Sequence, residues 1–217
     1  MASRPLSSTP VAVEAEGRTL QGDLGVPEAA SGLVVFAHGS GSSRLSPRNR
    51  QVAAYLNDRR LATLLFDLLT EHEAADRRKV FDVELLAERL REVTAWARRQ
   101  PDLESLATGY FGASTGAAAA LIAAAEEPSQ VKAVVSRGGR PDLALDRLLA
   151  VRAPTLLIVG GADVEVLRLN ERALRRLQVS AALEIVPGAT HLFEEPGALE
   201  RVAEVSSDWF TKYLGAA

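Results

Sequence analysis

Ser114, Asp163 and His191 have the residue types and local contexts needed for nucleophilic acyl transfer. Ser114 stands in Gly112-Ala113-Ser114-Thr115-Gly116, after the apolar run 107–111 and before the alanine-rich segment 117–125. A serine on a sharp strand-to-helix turn presents its hydroxyl beyond the sheet edge. Flanking glycines let the helix cross the strand closely, and the helix N-terminus favours developing negative charge. The same position also suits a serine that only caps a helix, so its partners must decide between the two. His191 lies in Pro187-Gly188-Ala189-Thr190-His191 and is the last of three histidines. There it can take the proton of an attacking hydroxyl. Asp163, in Gly160-Gly161-Ala162-Asp163, can accept the other imidazole N–H and fix the tautomer. Glu165 and Asp142 compete for that role. Glu165 sits one helical turn too far along, and Asp142 is expected to cap a helix after Arg140-Pro141.

A tetrahedral intermediate also needs fixed donors for its oxyanion. The expected pair is the backbone N–H groups of Thr115 and Ser40, the latter in His38-Gly39-Ser40-Gly41 at the end of the run 33–37. His38 is expected to satisfy that loop structurally, and His72 to be exposed and incidental. Arg137, in Ser136-Arg137-Gly138-Gly139-Arg140-Pro141-Asp142, has glycines beside it that would leave its guanidinium open to a carboxylate of the substrate. The alternative is an ion pair with Asp142 or Asp163 that ties loops together.

These residues must be positioned by regular elements. Alternating polarity at 11–14 and 19–24 around Glu16-Gly17 predicts an antiparallel hairpin. Continuous apolar runs at 33–37, 62–66, 107–111, 131–135, 155–159 and 183–186 predict strands covered on both faces. Helical patterns fall at 47–57, 81–99, 115–126, 143–149, 166–177 and 198–214. This alternation predicts an α/β fold: one domain with an eight-stranded, mostly parallel sheet and helices on both faces. Ser40, Ser114, Arg137, Asp163 and His191 then all follow strands, along the carboxyl edge where such sheets place ligands. The polar interval 70–79 reads as a surface loop bordering the site, and the short connections leave no room for a lid.

Composition narrows the remaining classes. The 217 residues suffice for one domain with a full core. A net charge of -3 provides no basic field for nucleic acid or an anionic membrane. The absence of cysteine removes thiolate nucleophiles, disulfides and zinc-thiolate sites. No residue cluster calls for a metal. Residues 1–10 lack the pattern of a signal peptide and no run of about 18 apolar residues occurs, so the cytoplasm is the expected compartment. A monomer or homodimer is the expected assembly.

Taken together, the four loop motifs, including Gly188-Ala189-Thr190-His191-Leu192-Phe193, make the chain resemble the α/β-hydrolase superfamily. Within it, the chain is most similar to the dienelactone hydrolase family of small, lidless enzymes. The resemblance spans residues 33–214. It implies an eight-stranded sheet, no cofactor, and hydrolysis of small esters or lactones through an acyl-enzyme. Short acyl esters are the expected substrates. Acyl transfer or thioester hydrolysis on the same three residues is an alternative, as is a binding protein of this fold that has lost catalysis. One departure stands out: the family proper uses a cysteine nucleophile, whereas this chain has Ser114.

Overall fold

A computed structural model describes residues 7–15 and 17–215. Glu16, half of the expected hairpin turn, lies outside the described residues, as do the first six positions of the stretch 1–10. The elements run β1 (Thr9–Ala15), β2 (Arg18–Gly25), β3 (Gly32–Ala37), α1 (Pro47–Asn57), β4 (Leu61–Phe66), α2 (Glu71–Ala74), α3 (Arg77–Val80) and α4 (Val83–Ala97). They continue with β5 (Thr108–Ala113), α5 (Thr115–Glu126), β6 (Val131–Arg137), β7 (Thr155–Gly160), α6 (Val164–Leu174), β8 (Ala181–Val186) and α7 (Ala198–Leu214).

The strands form one eight-stranded sheet in the order β1-β2-β4-β3-β5-β6-β7-β8. β2 runs antiparallel to β1 and β4, and every other pairing is parallel. Side chains alternate across it. Val34, Phe36, Phe111, Val135 and Ile158 face α1 and α7, while Val35, Tyr110, Val134 and Leu157 face α4 and α5. β3, β4, β5 and β7 are buried throughout, which explains why their sequences read as unbroken apolar runs rather than alternating ones. Helix α5 is buried from Thr115 to Ala124. Its alanines allow a close crossing of the sheet at the point where the nucleophile candidate enters.

Three local expectations are corrected. The segment predicted as a helix at 143–149 forms two short 3-10 turns, Pro141–Ala144 and Leu148–Ala150. Within them Pro141, Ala144 and Leu148 are buried, too few anchors to pay for a full helix. The interval 70–79 is not a loop: it holds α2 and α3. Thr70 and Glu73 form a capping box, and Asp76 caps α3 by accepting the Arg78 N–H. Finally, β6 continues through Arg137, so this residue belongs to the strand and its side chain lies on the α1 face with Ala133 and Val135.

Candidate active site

Ser114 has φ 51° and ψ −119°, a backbone conformation rare for a residue with a side chain and one that costs about 1–3 kcal/mol. Neighbouring glycines make the turn possible through contact. A Cβ at Gly112 would come within 2.4 Å of Ala117 Cα, and one at Gly116 within 2.2 Å of the Ala37 carbonyl oxygen. The Ser114 N–H donates to the Arg137 carbonyl at 3.1 Å, and its own carbonyl accepts the Arg140 N–H at 3.2 Å. Ser114 opens α5, but its hydroxyl makes no capping bond. That removes the helix-capping explanation for this serine.

His191 and Asp163 come from two interlaced loops. The Gly161 N–H donates to the Val186 carbonyl and the Ala162 N–H to the Ala189 carbonyl, at 2.8 and 2.9 Å. A Cβ at Gly160 would lie 2.2 Å from the Ala189 carbonyl oxygen, so only glycine permits this approach. Asp163 occupies the cap position of α6 without capping it, and its carboxylate instead takes His191 Nδ1 at 2.7 Å. Neither rival carboxylate does so. Asp142 pairs with Arg140 at 2.8 Å within a 3-10 turn instead of capping a helix, and Glu165 lies within α6.

The imidazole of His191 lies over Gly138, where a Cβ would stand 3.5 Å from its ring atoms. Gly138 directly follows Arg137, whose carbonyl holds the Ser114 N–H. The structure therefore brings the imidazole near the turn at Ser114 and closes the His191–Asp163 bond. The Ser114 hydroxyl is not hydrogen-bonded to the ring in this conformation. Such bonds commonly tighten only once substrate is in place.

The two expected oxyanion donors meet in an unforeseen way. The Ser40 N–H donates to Thr115 Oγ1 at 2.9 Å, so the side chain of one donor residue holds the backbone of the other. Gly39 presses against Ser114, since a Cβ there would meet Ser114 Cβ at 3.2 Å. His38 supports this loop from inside: its Nε2 accepts the Leu68 N–H at 3.1 Å and its Nδ1 contacts the Gly39 carbonyl at 3.0 Å. Burial lowers its pKa and outweighs the Gly39 bond and the nearby Asp67, in keeping with a neutral ring that both accepts and donates. His72 is exposed on α2.

Arg137 departs from both of its expected roles. It is 7% exposed, and among the described residues no carboxylate lies within ion-pair distance of it. Its guanidinium reaches Asn49 Oδ1 at 3.4 Å and the Phe193 ring at 5.9 Å. Burial, and secondarily Arg48, pull its pKa down to about 10. Other supports were missed altogether. Buried Asn170 donates to the carbonyls of Gly139 and Val166, steadying the loop after β6. The signal for it is an amide side chain on the buried stripe of a helix, which has to find partners.

A chamber of about 710 Å³ borders the Gly39-Ser40 segment. Its walls come from β2, the loop after β3, the end of β4, and helices α2 to α4.

Comparison with known proteins agrees with this architecture. A family model described as the dienelactone hydrolase family matches residues 63–214. A dienelactone hydrolase from Anabaena variabilis is 56% identical, superposes with a TM-score of 0.93, and is matched over 96% of this chain and 98% of its own. A lidless α/β serine hydrolase from Xanthomonas campestris shares the fold at 20% identity, with a TM-score of 0.80 over 99% of this chain and 98% of its own. Two Mycobacterium tuberculosis proteins, provisionally named phosphoribosyl transferases, are 59% identical over 213 residues. That match spans 98% of this chain but 48% of theirs, so the chain covers about half the length of these curated relatives. With its eight-stranded sheet, its glycine-packed turn at Ser114 and a match over most of its length, the chain belongs to the dienelactone hydrolase family of α/β-hydrolases.

Proposed function

We propose that this protein is a serine hydrolase that cleaves small carboxylic esters or lactones through an acyl-enzyme. One observation carries the reading: Ser114 and Asp163 both occupy helix-capping positions, neither side chain caps, and Asp163 is instead spent on His191. In this reading His191 takes the Ser114 proton as the hydroxyl oxygen attacks the carbonyl carbon, and Asp163 holds the ring and stabilises the imidazolium. The backbone N–H of Thr115 receives the oxyanion, joined by that of Ser40 once it exchanges the Thr115 hydroxyl for the substrate oxygen. The imidazolium then protonates the leaving alcohol. Water repeats the sequence in reverse roles to release the acid and restore Ser114.

The test is direct. A fluorophosphonate probe labels the wild-type protein at Ser114. Ser114→Ala lowers turnover of p-nitrophenyl acetate by about 10⁴-fold or more, the scale seen when a triad serine is lost. Near-native turnover in that variant overturns the assignment. The absence of both labelling and hydrolysis in the wild type returns the protein to the class of non-catalytic binders.

A further inference from the structure

The chamber beside the Gly39-Ser40 segment has a definite position relative to the reacting groups. In the sheet, β3 and β4 lie on one side of β5, whereas β6, β7 and β8 lie on the other. Ser114 follows β5, Asp163 and His191 follow β7 and β8, and the chamber is built from β2, the ends of β3 and β4, and α2 to α4. Along the sheet, Ser114 thus stands between the imidazole on one side and the chamber on the other. In an acyl-enzyme mechanism the leaving group must stay on the imidazole side to receive its proton. The side toward Gly39 and Ser40, which the chamber borders, is then open to the acyl group.

Size and chemistry then restrict what this space accepts. At about 710 Å³ it falls among clefts that enclose drug-sized ligands, far larger than an acetyl group needs. Leu20, Leu69, Val80 and Leu86 give it an apolar lining. Its charged residues are Arg44, Asp67 and Glu71. The Arg44 guanidinium pairs with Asp67, its backbone N–H donates to the same carboxylate at 2.8 Å, and its Nε lies 3.8 Å from Asp23. Arg44 is thus committed to carboxylates already present, and Glu71 adds a further negative charge. His38 is a lining residue too, held neutral by its burial and bonds.

From this placement we propose that the chamber is the acyl-binding subsite and that it takes a sizeable, uncharged, largely apolar acyl group, while excluding one that ends in a carboxylate. The proposal rests on the serine hydrolase reading above and narrows its substrate class beyond short acyl esters.

Three esters with the same leaving group test it: p-nitrophenyl acetate, p-nitrophenyl octanoate and the mono-p-nitrophenyl ester of octanedioic acid. The expected kcat/KM for octanoate exceeds that for acetate by at least about tenfold, since even one methylene in a fitted apolar pocket discriminates on that scale. The octanedioate ester falls about tenfold or more below octanoate, because its terminal carboxylate must shed water beside Asp67 and Glu71. Ala74 is exposed at the rim of the chamber, so Ala74→Trp fills space without entering the core. It lowers the octanoate-to-acetate ratio of kcat/KM by about tenfold. Acetate cleavage with no preference for octanoate, equal use of the octanedioate ester, or an unchanged ratio in Ala74→Trp each overturns the subsite while the hydrolase reading stands. Failure to cleave any of the three esters, together with no fluorophosphonate labelling, removes that reading itself and the subsite with it.

Discussion

Two buried arginines in this fold have opposite surroundings. Arg89 is 3% exposed and lies between Glu73 and Glu92, at 3.4 and 3.0 Å. Arg137 is 7% exposed and has no carboxylate partner among the described residues. Removing one member of a buried ion pair strands the other charge and costs about 3–5 kcal/mol, whereas replacing a buried charge that lacks a counter-charge by an apolar side chain is close to neutral. Urea unfolding is therefore expected to show Arg89→Met destabilised by roughly that amount and Arg137→Met within about 1 kcal/mol of wild type or more stable. Comparable losses in the two variants would show that Arg137 is compensated after all. The sequence places Arg137 between a strand and glycines, and those glycines suggest an open loop. What it does not reveal is that β6 runs two residues beyond its apolar stretch and turns this side chain onto the α1 face. The placement of Ser114, Asp163 and His191 after strands was more legible because each lies in a glycine-bearing turn directly after an apolar run. Their packing depends on contacts such as Gly160 against Ala189, which no local pattern encodes.

At the scale of elements, α2 and α3 are four residues each, too short to be stable alone, and Glu73 ties them to the body of the protein. Burial pushes the Glu73 carboxyl upward in pKa. The Thr70 amide and hydroxyl, with Arg89 and Lys79, outweigh burial and hold it below its ordinary 4.5. A carboxyl whose folded pKa is depressed binds fewer protons in the native state than in the unfolded state. Its contribution is therefore present above the unfolded value and lost as pH falls through the folded one. Glu73→Gln is expected to be about 1–3 kcal/mol less stable at neutral pH, with a shallower loss of stability below about pH 4.5 than wild type. Urea midpoints across the acid range check this, and parallel acid limbs for the two proteins would refute it. The element pattern was readable wherever burial was two-sided, and α1, α5 and α7 fall at their expected bounds. The interval 70–79 misled because its polarity outweighed a capping box, Thr70 with Glu73, that is itself a helix-start signal.

Across the whole molecule, one sheet with helices on both faces shares its strands between two apolar layers, so neither layer can be lost alone. The 217-residue chain is accordingly expected to unfold in a single calorimetric transition, with an enthalpy of roughly 150 kcal/mol near 60 °C and a van't Hoff value equal to it. Two resolved transitions would contradict a single cooperative domain. The match to proteins about twice as long makes this a test of whether the unit folds by itself. The layout of the site has a further consequence. The parts proposed to react are wedged in place by glycine contacts along strands β3, β5 and β7. The wall of the proposed acyl chamber hangs partly on two single-turn helices anchored through one carboxylate. Descendants of this sequence could therefore exchange that wall, and with it their diet, while inheriting the reactive centre unaltered.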